Sequence, residues 1–351
     1  LRTTFEAQDG QPVQVISPEG SIKIDLIDLS HLTDLRREME TTRLAEEEAR
    51  RPFDLAKGPL LRVRLLKLGD REHVALLTMH HIISDGWSMG VLIREIATLY
   101  AAFSQGLPSP LPELPIQYAD FAIWQRDQLK EEGLNKQLAF WMDHLSGDLP
   151  VIKLPTDRPR PPVQSFRGAT ISRRLPFALM EAIKALGRSE DATLYMTLLA
   201  AFQVLLYRYT GQEDFTIGSP IANRNRAEVE GLIGLFVNTL VLRADLPADA
   251  VDRLSFRTLL RQVRDFTLEA YANQDLPFDT LVEALRPERN LSYNPLFQVM
   301  FILQNAASSQ NFAMSDLKMS MMDVETGTST FDLTLMVAEG VEGLETSIEY
   351  N

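Results

Sequence analysis

The chain has no cysteine. That excludes disulfides, thiolate nucleophiles and cysteine-ligated metal sites, and it fits a reducing cytoplasm. Histidine is scarce, with five residues in 351, so any pair of imidazoles stands out. Positive charge is in deficit: 35 Lys and Arg stand against 48 Asp and Glu, a formal net charge of −13. This balance disfavours nucleic acid and anionic membranes as partners. No apolar run is long enough to span a bilayer. The longest, about Leu194 to Tyr207, is interrupted by Thr197 and Gln203 and reads as a buried helix. The opening Leu1-Arg2-Thr3-Thr4-Phe5 has no apolar signal core. A 45% apolar content remains, ample for the cores of roughly two globular domains.

Two of the histidines are adjacent, in Met79-His80-His81-Ile82-Ile83-Ser84-Asp85-Gly86-Trp87. An apolar, strand-like run from Val74 to Met79 leads in. A helical pattern (Met89, Leu92, Ile93, Ile96, Leu99, Tyr100) leads out. Successive strand residues face opposite ways, so His80 and His81 are expected to do different work. One faces a cavity and the other packs or contacts backbone. Asp85, before the helix, suits a cap on its free N–H groups or a pair with an arginine. Gly86 allows a close approach of backbone to ligand, and its N–H lies toward the positive end of the helix, suited to a developing oxyanion.

The spacing resembles the HHxxxDG signature of condensation domains of nonribosomal peptide synthetases. Other segments resemble further blocks of that family in the same order. Tyr118-Ala119-Asp120-Phe121-Ala122-Ile123-Trp124 is similar to YxDFAxW. Ile233-Gly234-Leu235-Phe236-Val237-Asn238-Thr239, with Arg243, is similar to IGxFVNTxxxR. Asn273-Gln274-Asp275-Leu276-Pro277-Phe278-Asp279 is similar to [HN]QDxPFE, with Asp for Glu. Arg289-Asn290-Leu291-Ser292-Tyr293-Asn294-Pro295-Leu296 is similar to RDxSRNPL, departing at Asn290 and Tyr293. Leu1-Arg2-Thr3-Thr4-Phe5 resembles the tail of RHExLRTxF, so the resemblance implies domain sequence ahead of Leu1 and a final helix beyond Asn351.

Secondary-structure signals divide at Pro155–Pro162, a proline-rich stretch that reads as a stiff linker. The expected lobes are residues 1–160 and 161–351, both of mixed strands and helices. Expected helices include 87–103, 117–130, 135–145, 193–209 and 255–274. Expected strands include 12–17, 22–29, 60–67, 73–79, 236–243, 296–303, 317–324, 331–337 and 344–350. The resemblance implies an α/β fold: two chloramphenicol-acetyltransferase-like lobes in a V, with a tunnel between them and the histidines at their interface.

For a lone histidine a buried, hydrogen-bonded core role is the better expectation. The adjacent pair, the Asp-Gly that follows and the matching blocks favour His81 as the catalytic group. His80 is expected to orient the loop. Asp85 is expected to be structural; the resemblance implies an arginine partner from RHExLRTxF, of which only Arg2 is present. Trp87 and Trp124 are expected in a core or a tunnel wall. Ser219 is a candidate tunnel residue, and Asn238 either a satisfied core amide or a tunnel contact. The run Met314, Met319, Met321, Met322 reads as packing. No third ligand at recognisable spacing accompanies the His pair, so no metal is expected.

The resemblance implies amide-bond formation between a donor aminoacyl or peptidyl thioester and the amine of an acceptor aminoacyl thioester. Both would be carried on phosphopantetheine arms of carrier proteins, with no cofactor of the domain's own and an adenylation domain adjacent. Residues 87–95 are similar to the subtype joining an L-donor to an L-acceptor. The competing activities are epimerisation, another acyl transfer, or a catalytically silent docking module. An epimerisation domain would carry an EGHGRE-like segment; here Glu339-Gly340 lacks its His and Arg. The side chains joined, the product and the oligomeric state are not readable from the sequence.

Overall fold

A computed structural model describes residues 1–128, 132–246, 255–288, 290–304, 313–314, 317–322, 324 and 327–351. The chain begins with a hairpin, β1 (Thr3–Gln8) and β2 (Gln11–Ile16), then β3 (Ile24–Asp28), α1 (Asp34–Arg50), β4 (Leu61–Lys67), β5 (His73–Met79) and α2 (Gly86–Phe103). It continues through α3 (Tyr118–Gln128), α4 (Glu132–His144), β6 (Ala169–Pro176), α5 (Phe177–Ser189), α6 (Leu194–Thr210) and β7 (Asp214–Ile221). A short helix, α7 (Ala227–Glu230), precedes β8 (Asn238–Asp245), α8 (Phe256–Ala272), α9 (Phe278–Leu285) and β9 (Val299–Gln304). The strands β10 (Ala313–Met314), β11 (Leu317–Lys318), β12 (Leu333–Gly340) and β13 (Gly343–Tyr350) complete it.

These elements form two compact units. The first comprises Leu1–Ala119, Arg224–Phe236 and Asn311–Thr326; the second comprises Asp120–Asn223, Val237–Gln310 and Gly327–Asn351. The units are interleaved in sequence, and Pro155–Pro162 lies inside the second rather than between the two.

In the first unit β3 and β4 run parallel, and β4 and β5 antiparallel, with Leu61 opposite Met79. Leu44 and Ala45 of α1 pack with Leu29, Leu66 and Leu76. A second cluster joins Leu60 and Leu61 to Ile83, just beyond the histidines. The β1–β2 hairpin, whose first strand is absent from the sequence expectation, turns at Asp9 and Gly10, both with positive φ, as a two-residue hairpin turn requires.

The second unit is built on a mixed six-stranded sheet in the order β6-β13-β12-β9-β7-β8. Its core holds Trp141, Phe215, Phe297 and Phe301, all nearly solvent-free. Helix α6 shows why its boundaries lie where they do. Thr193 accepts a hydrogen bond from Met196 N at 3.2 Å, and Gly211 closes the helix at φ 68°.

Three expectations meet a limit or a correction. The helix expected to reach Lys130 is described as far as Gln128, and residues 129–131 lie outside the described residues, as does Arg289. The strand expected from Phe236 begins only at Asn238; Phe236 belongs to the first unit, and its N–H is taken by the Asp85 carboxylate rather than by a strand partner. The strand expected over 317–324 is confined to Leu317–Lys318, with residue 323 outside the described set.

Candidate active site

The two histidines do not lie in a strand. β5 ends at Met79, and His81–Ile83 form a single 3-10 turn with His80 as its N-cap. The different fates of the pair therefore come from the turn rather than from strand alternation. His80 is tied down: its N–H donates to Leu60 O at 3.0 Å, its carbonyl accepts from Ile83 N at 3.1 Å, and its Nδ1 accepts from Ile82 N at 3.1 Å. Acceptance at Nδ1 places the proton of the neutral ring on Nε2. His81 has an exposed side chain, and among the described residues no hydrogen bond engages its imidazole.

Asp85 caps α2, and both of its carboxylate oxygens are engaged. Its Oδ1 accepts from Ser88 N at 2.8 Å, and its Oδ2 accepts from Phe236 N at 2.9 Å. Nη2 of Arg224 lies 3.1 Å from Oδ1 and 3.4 Å from Oδ2, and both side chains are nearly solvent-free, at 1% and 3%. The partner is thus Arg224, not Arg2, whose guanidinium donates to Pro18 O instead. Arg224 also donates to Val229 O at 2.6 Å and Leu232 O at 2.8 Å, and its Cζ sits 4.0 Å from the Phe236 ring centroid. Burial lowers the Arg224 pKa, and the Asp85 charge opposes that shift.

Ser88, fully buried, locks the same region. It accepts from Arg224 Nη2 at 2.8 Å and from Gly234 N at 3.1 Å, and donates to Gly234 O at 2.8 Å. Tyr118 donates to Leu235 O at 2.7 Å and packs edge-on against Phe236. A Cβ on Gly234 would stand 2.1 Å from Tyr118 Cδ2, so only glycine permits this approach. The first turn of α2 is therefore fastened to residues 224–236 by a dry, charge-assisted network. The YxDFAxW and IGxFVNT blocks contain the residues that touch here. Arg224 carries no local signal, being 139 positions from Asp85.

Gly86 is the first residue of α2 and exposed, and a Cβ added to it would meet nothing within 4 Å. Among the described residues no packing demands glycine there. The leading N–H groups of a helix lack intrahelical acceptors and carry the positive end of its dipole. An exposed imidazole and such a helix start, on either side of a short turn, are the parts needed to take a proton and stabilise an oxyanion.

Other expected site residues have different surroundings. Trp87 is 45% exposed and donates from Nε1 to Glu230 O at 2.9 Å, so it is not a core residue. Trp124 is also partly exposed. Ser219, in β7, is buried; its hydroxyl accepts from Tyr195 Oη at 2.7 Å and donates to Phe301 O at 2.9 Å. That occupancy describes a satisfied core hydroxyl rather than one free to meet a ligand. Asn238 donates to Gln274 O and Leu276 O at 2.9 and 2.8 Å and accepts from Phe278 N at 3.0 Å. These bonds satisfy the amide and pin the 273–278 turn. Met319, Met321 and Met322 are exposed rather than packed, and the Met314 side chain lies outside the described residues. Among the described residues no three His, Asp or Glu side chains gather as a metal site, and no helix is long and apolar enough to cross a membrane.

The chain is similar to known proteins. The Condensation domain family model matches residues 1–351. One of the linear gramicidin synthase proteins of Brevibacillus parabrevis is 53% identical over 353 residues, covering 100% of this chain and 7% of that protein. Phosphinothricin tripeptide synthetase PhsC of Streptomyces viridochromogenes is 43% identical, over 100% of this chain and 32% of its own length. The chain thus spans a small part of these relatives. Among solved structures, the X-domain from teicoplanin biosynthesis superposes with a TM-score of 0.88 at 28% identity, covering 100% of this chain and 78% of that one. The four-domain nonribosomal peptide synthetase holo-AB3403 gives 0.87 at 25% identity, covering 100% and 27%. The His-His-Asp-Gly turn, the buried Asp85 cap and these matches agree: the chain belongs to the condensation-domain family, the amide-bond-forming acyltransferase units of nonribosomal peptide synthetases.

Proposed function

We propose that His81 is the catalytic group of this chain and that Gly86, at the start of α2, supports the oxyanion. The reaction joins a donor aminoacyl or peptidyl thioester to the α-amine of an acceptor aminoacyl thioester. One observation carries the assignment. The His80 imidazole is engaged by the turn, its Nδ1 accepting from Ile82 N, whereas the neighbouring His81 imidazole is exposed and free of internal hydrogen bonds among the described residues.

The chemistry limits what His81 must do. An α-amine with a pKa of about 8 is partly neutral near neutral pH, so generating the nucleophile needs no strong base. The thioester is already an activated acyl donor. As nitrogen attacks the carbonyl carbon, a positive charge develops on nitrogen and a negative charge on oxygen. His81 accepts the hydrogen bond from the amine and takes its proton as the C–N bond forms. The free N–H groups at the start of α2 stabilise the oxygen until the carbonyl reforms and the thiolate leaves. Holding both reactants in register supplies much of the remaining acceleration.

The substrates are taken to arrive on phosphopantetheine arms of donor and acceptor carrier proteins, with an adenylation domain adjacent. We assign the L-donor, L-acceptor subtype from residues 87–95, and a cytoplasmic setting from the lack of cysteine. Trp87, half exposed beside Gly86, is the substrate-contact candidate of the first unit. The test is a single-turnover reaction with loaded donor and acceptor carriers, read by mass and by product stereochemistry. A dipeptidyl product on the acceptor carrier supports the reading. An inverted stereocentre without condensation, or wild-type turnover by His81→Ala, overturns it.

A further inference from the structure

The His80 ring is held by more than its hydrogen bond. Phe53 packs edge-on against it, with centroids 5.7 Å apart at 88°. Phe53 is itself fixed by Arg62, whose Cζ lies 3.8 Å from its ring centroid. Arg62 in turn bonds the Glu48 carboxylate, which is 1% exposed, and donates to Arg51 O at 2.8 Å and Pro52 O at 3.1 Å. Arg64 Nε reaches the same carboxylate at 3.0 Å. A continuous chain therefore runs from a buried ion pair at the end of α1, through a cation–aromatic contact and an aromatic edge, to the imidazole that caps the turn.

The turn depends on that ring's orientation. Ile82 N donates to His80 Nδ1, which works only while Nδ1 carries no proton and the ring plane points its lone pair along the turn. An imidazole without this packing would be free to rotate and exchange tautomers. We infer that Phe53, braced by Arg62, is a positioning residue for the reaction: it sets the plane and tautomer of His80, and through the 81–83 turn the direction of His81. The inference deepens the catalytic reading of His81 and rests on it.

The experiment uses Phe53→Leu, which keeps apolar bulk and removes the aromatic edge, and Phe53→Tyr, which retains the edge. Long-range proton–nitrogen correlation spectra of the 15N-labelled chain report the His80 tautomer, its signals assigned by their loss in His80→Asn. The wild type and Phe53→Tyr should show one Nε2–H tautomer. Phe53→Leu should show a mixture, with a fall of about 3- to 10-fold in single-turnover condensation, the size an aromatic edge contact supports, at unchanged KM. An unaltered tautomer in folded Phe53→Leu, or a mixed tautomer with the wild-type rate, overturns the inference. If Phe53→Leu does not fold, Phe53→Met, nearer in length, is judged by the same two readouts. If the wild type makes no amide, the catalytic reading of His81 falls, and the tautomer readout alone decides whether Phe53 sets the His80 ring.

Discussion

Removing the Asp85 carboxylate should destabilise the first unit far more than its role as a helix cap accounts for. A lost cap costs about 0.5–2 kcal/mol. Here the same carboxylate neutralises Arg224 at 3.1 Å in a site where both partners are almost dry. With an effective dielectric constant of about 20, opposite charges at that distance attract by roughly 5 kcal/mol. Asp85→Ala would strand the guanidinium and the Phe236 N–H together, and stranding one member of a buried pair typically costs about 3–5 kcal/mol. The assay is a double-mutant cycle with Arg224→Met, followed by urea unfolding. Each single variant should lose about 3–5 kcal/mol, and the double variant clearly less than their sum, since it leaves no unpaired charge. An Asp85→Ala chain within about 0.5 kcal/mol of wild type would refute the argument that this pair organises the start of α2, whatever its activity.

Other expectations follow from single contacts. His81→Ala should lower single-turnover condensation by about 10²- to 10⁴-fold without moving the melting temperature, because the side chain is exposed and unbonded among the described residues; equal rates would remove it from the mechanism. Gly86→Ala and Gly234→Ala form a contrast measured by melting and by rate. The first adds a methyl to open space and should melt like wild type while slowing the reaction. The second drives a methyl into Tyr118 and should cost about 1–3 kcal/mol or more. His144 stacks on Phe266 at 3.9 Å, and burial, then the Arg243 charge, depress its pKa from 6.5 to about 4. The folded value lies below the unfolded one, so this histidine's contribution is complete above about pH 6.5 and is lost as pH falls toward 4. Acid unfolding of His144→Phe should therefore be shallower over that window; an identical acid limb would remove His144 from acid unfolding.

The chain announces its chemistry through local signals. The His-His-Asp-Gly spacing, the strand before it and the helix after it are all short-range patterns, and the structure places them nearly as expected. Asp85 as cap and Asn238 as a polar residue in need of partners are legible because a buried polar side chain must be satisfied. Their partners are not. Arg224 lies in a later segment, and nothing in residue type or spacing marks it as belonging to the first unit. The 3-10 turn at His81 escapes sequence reasoning because apolar residues on both sides extend the strand pattern past Met79. The strand β1 escapes it because Thr3–Gln8 alternates weakly and is recognisable only by its pairing with β2. The same long-range blindness sets the expected boundary at the proline-rich stretch, where composition changes but the contacts do not.

The interleaving of the two units has a consequence for synthesis. Arg224 leaves the ribosome 139 residues after Asp85, an interval of roughly 7 to 28 s at about 5–20 residues per second. During that time the nascent first unit holds the His-His-Asp-Gly segment without the arginine, the Phe236 N–H or the Gly234 contact that close it. The order of emergence therefore makes this turn among the last parts of the first unit to reach its final state, although its residues are made early. It also means that a gene cut at the proline-rich stretch would yield a leading fragment with a carboxylate and no counter-charge. Domain-exchange experiments on this chain should keep residues 1–236 on one polypeptide.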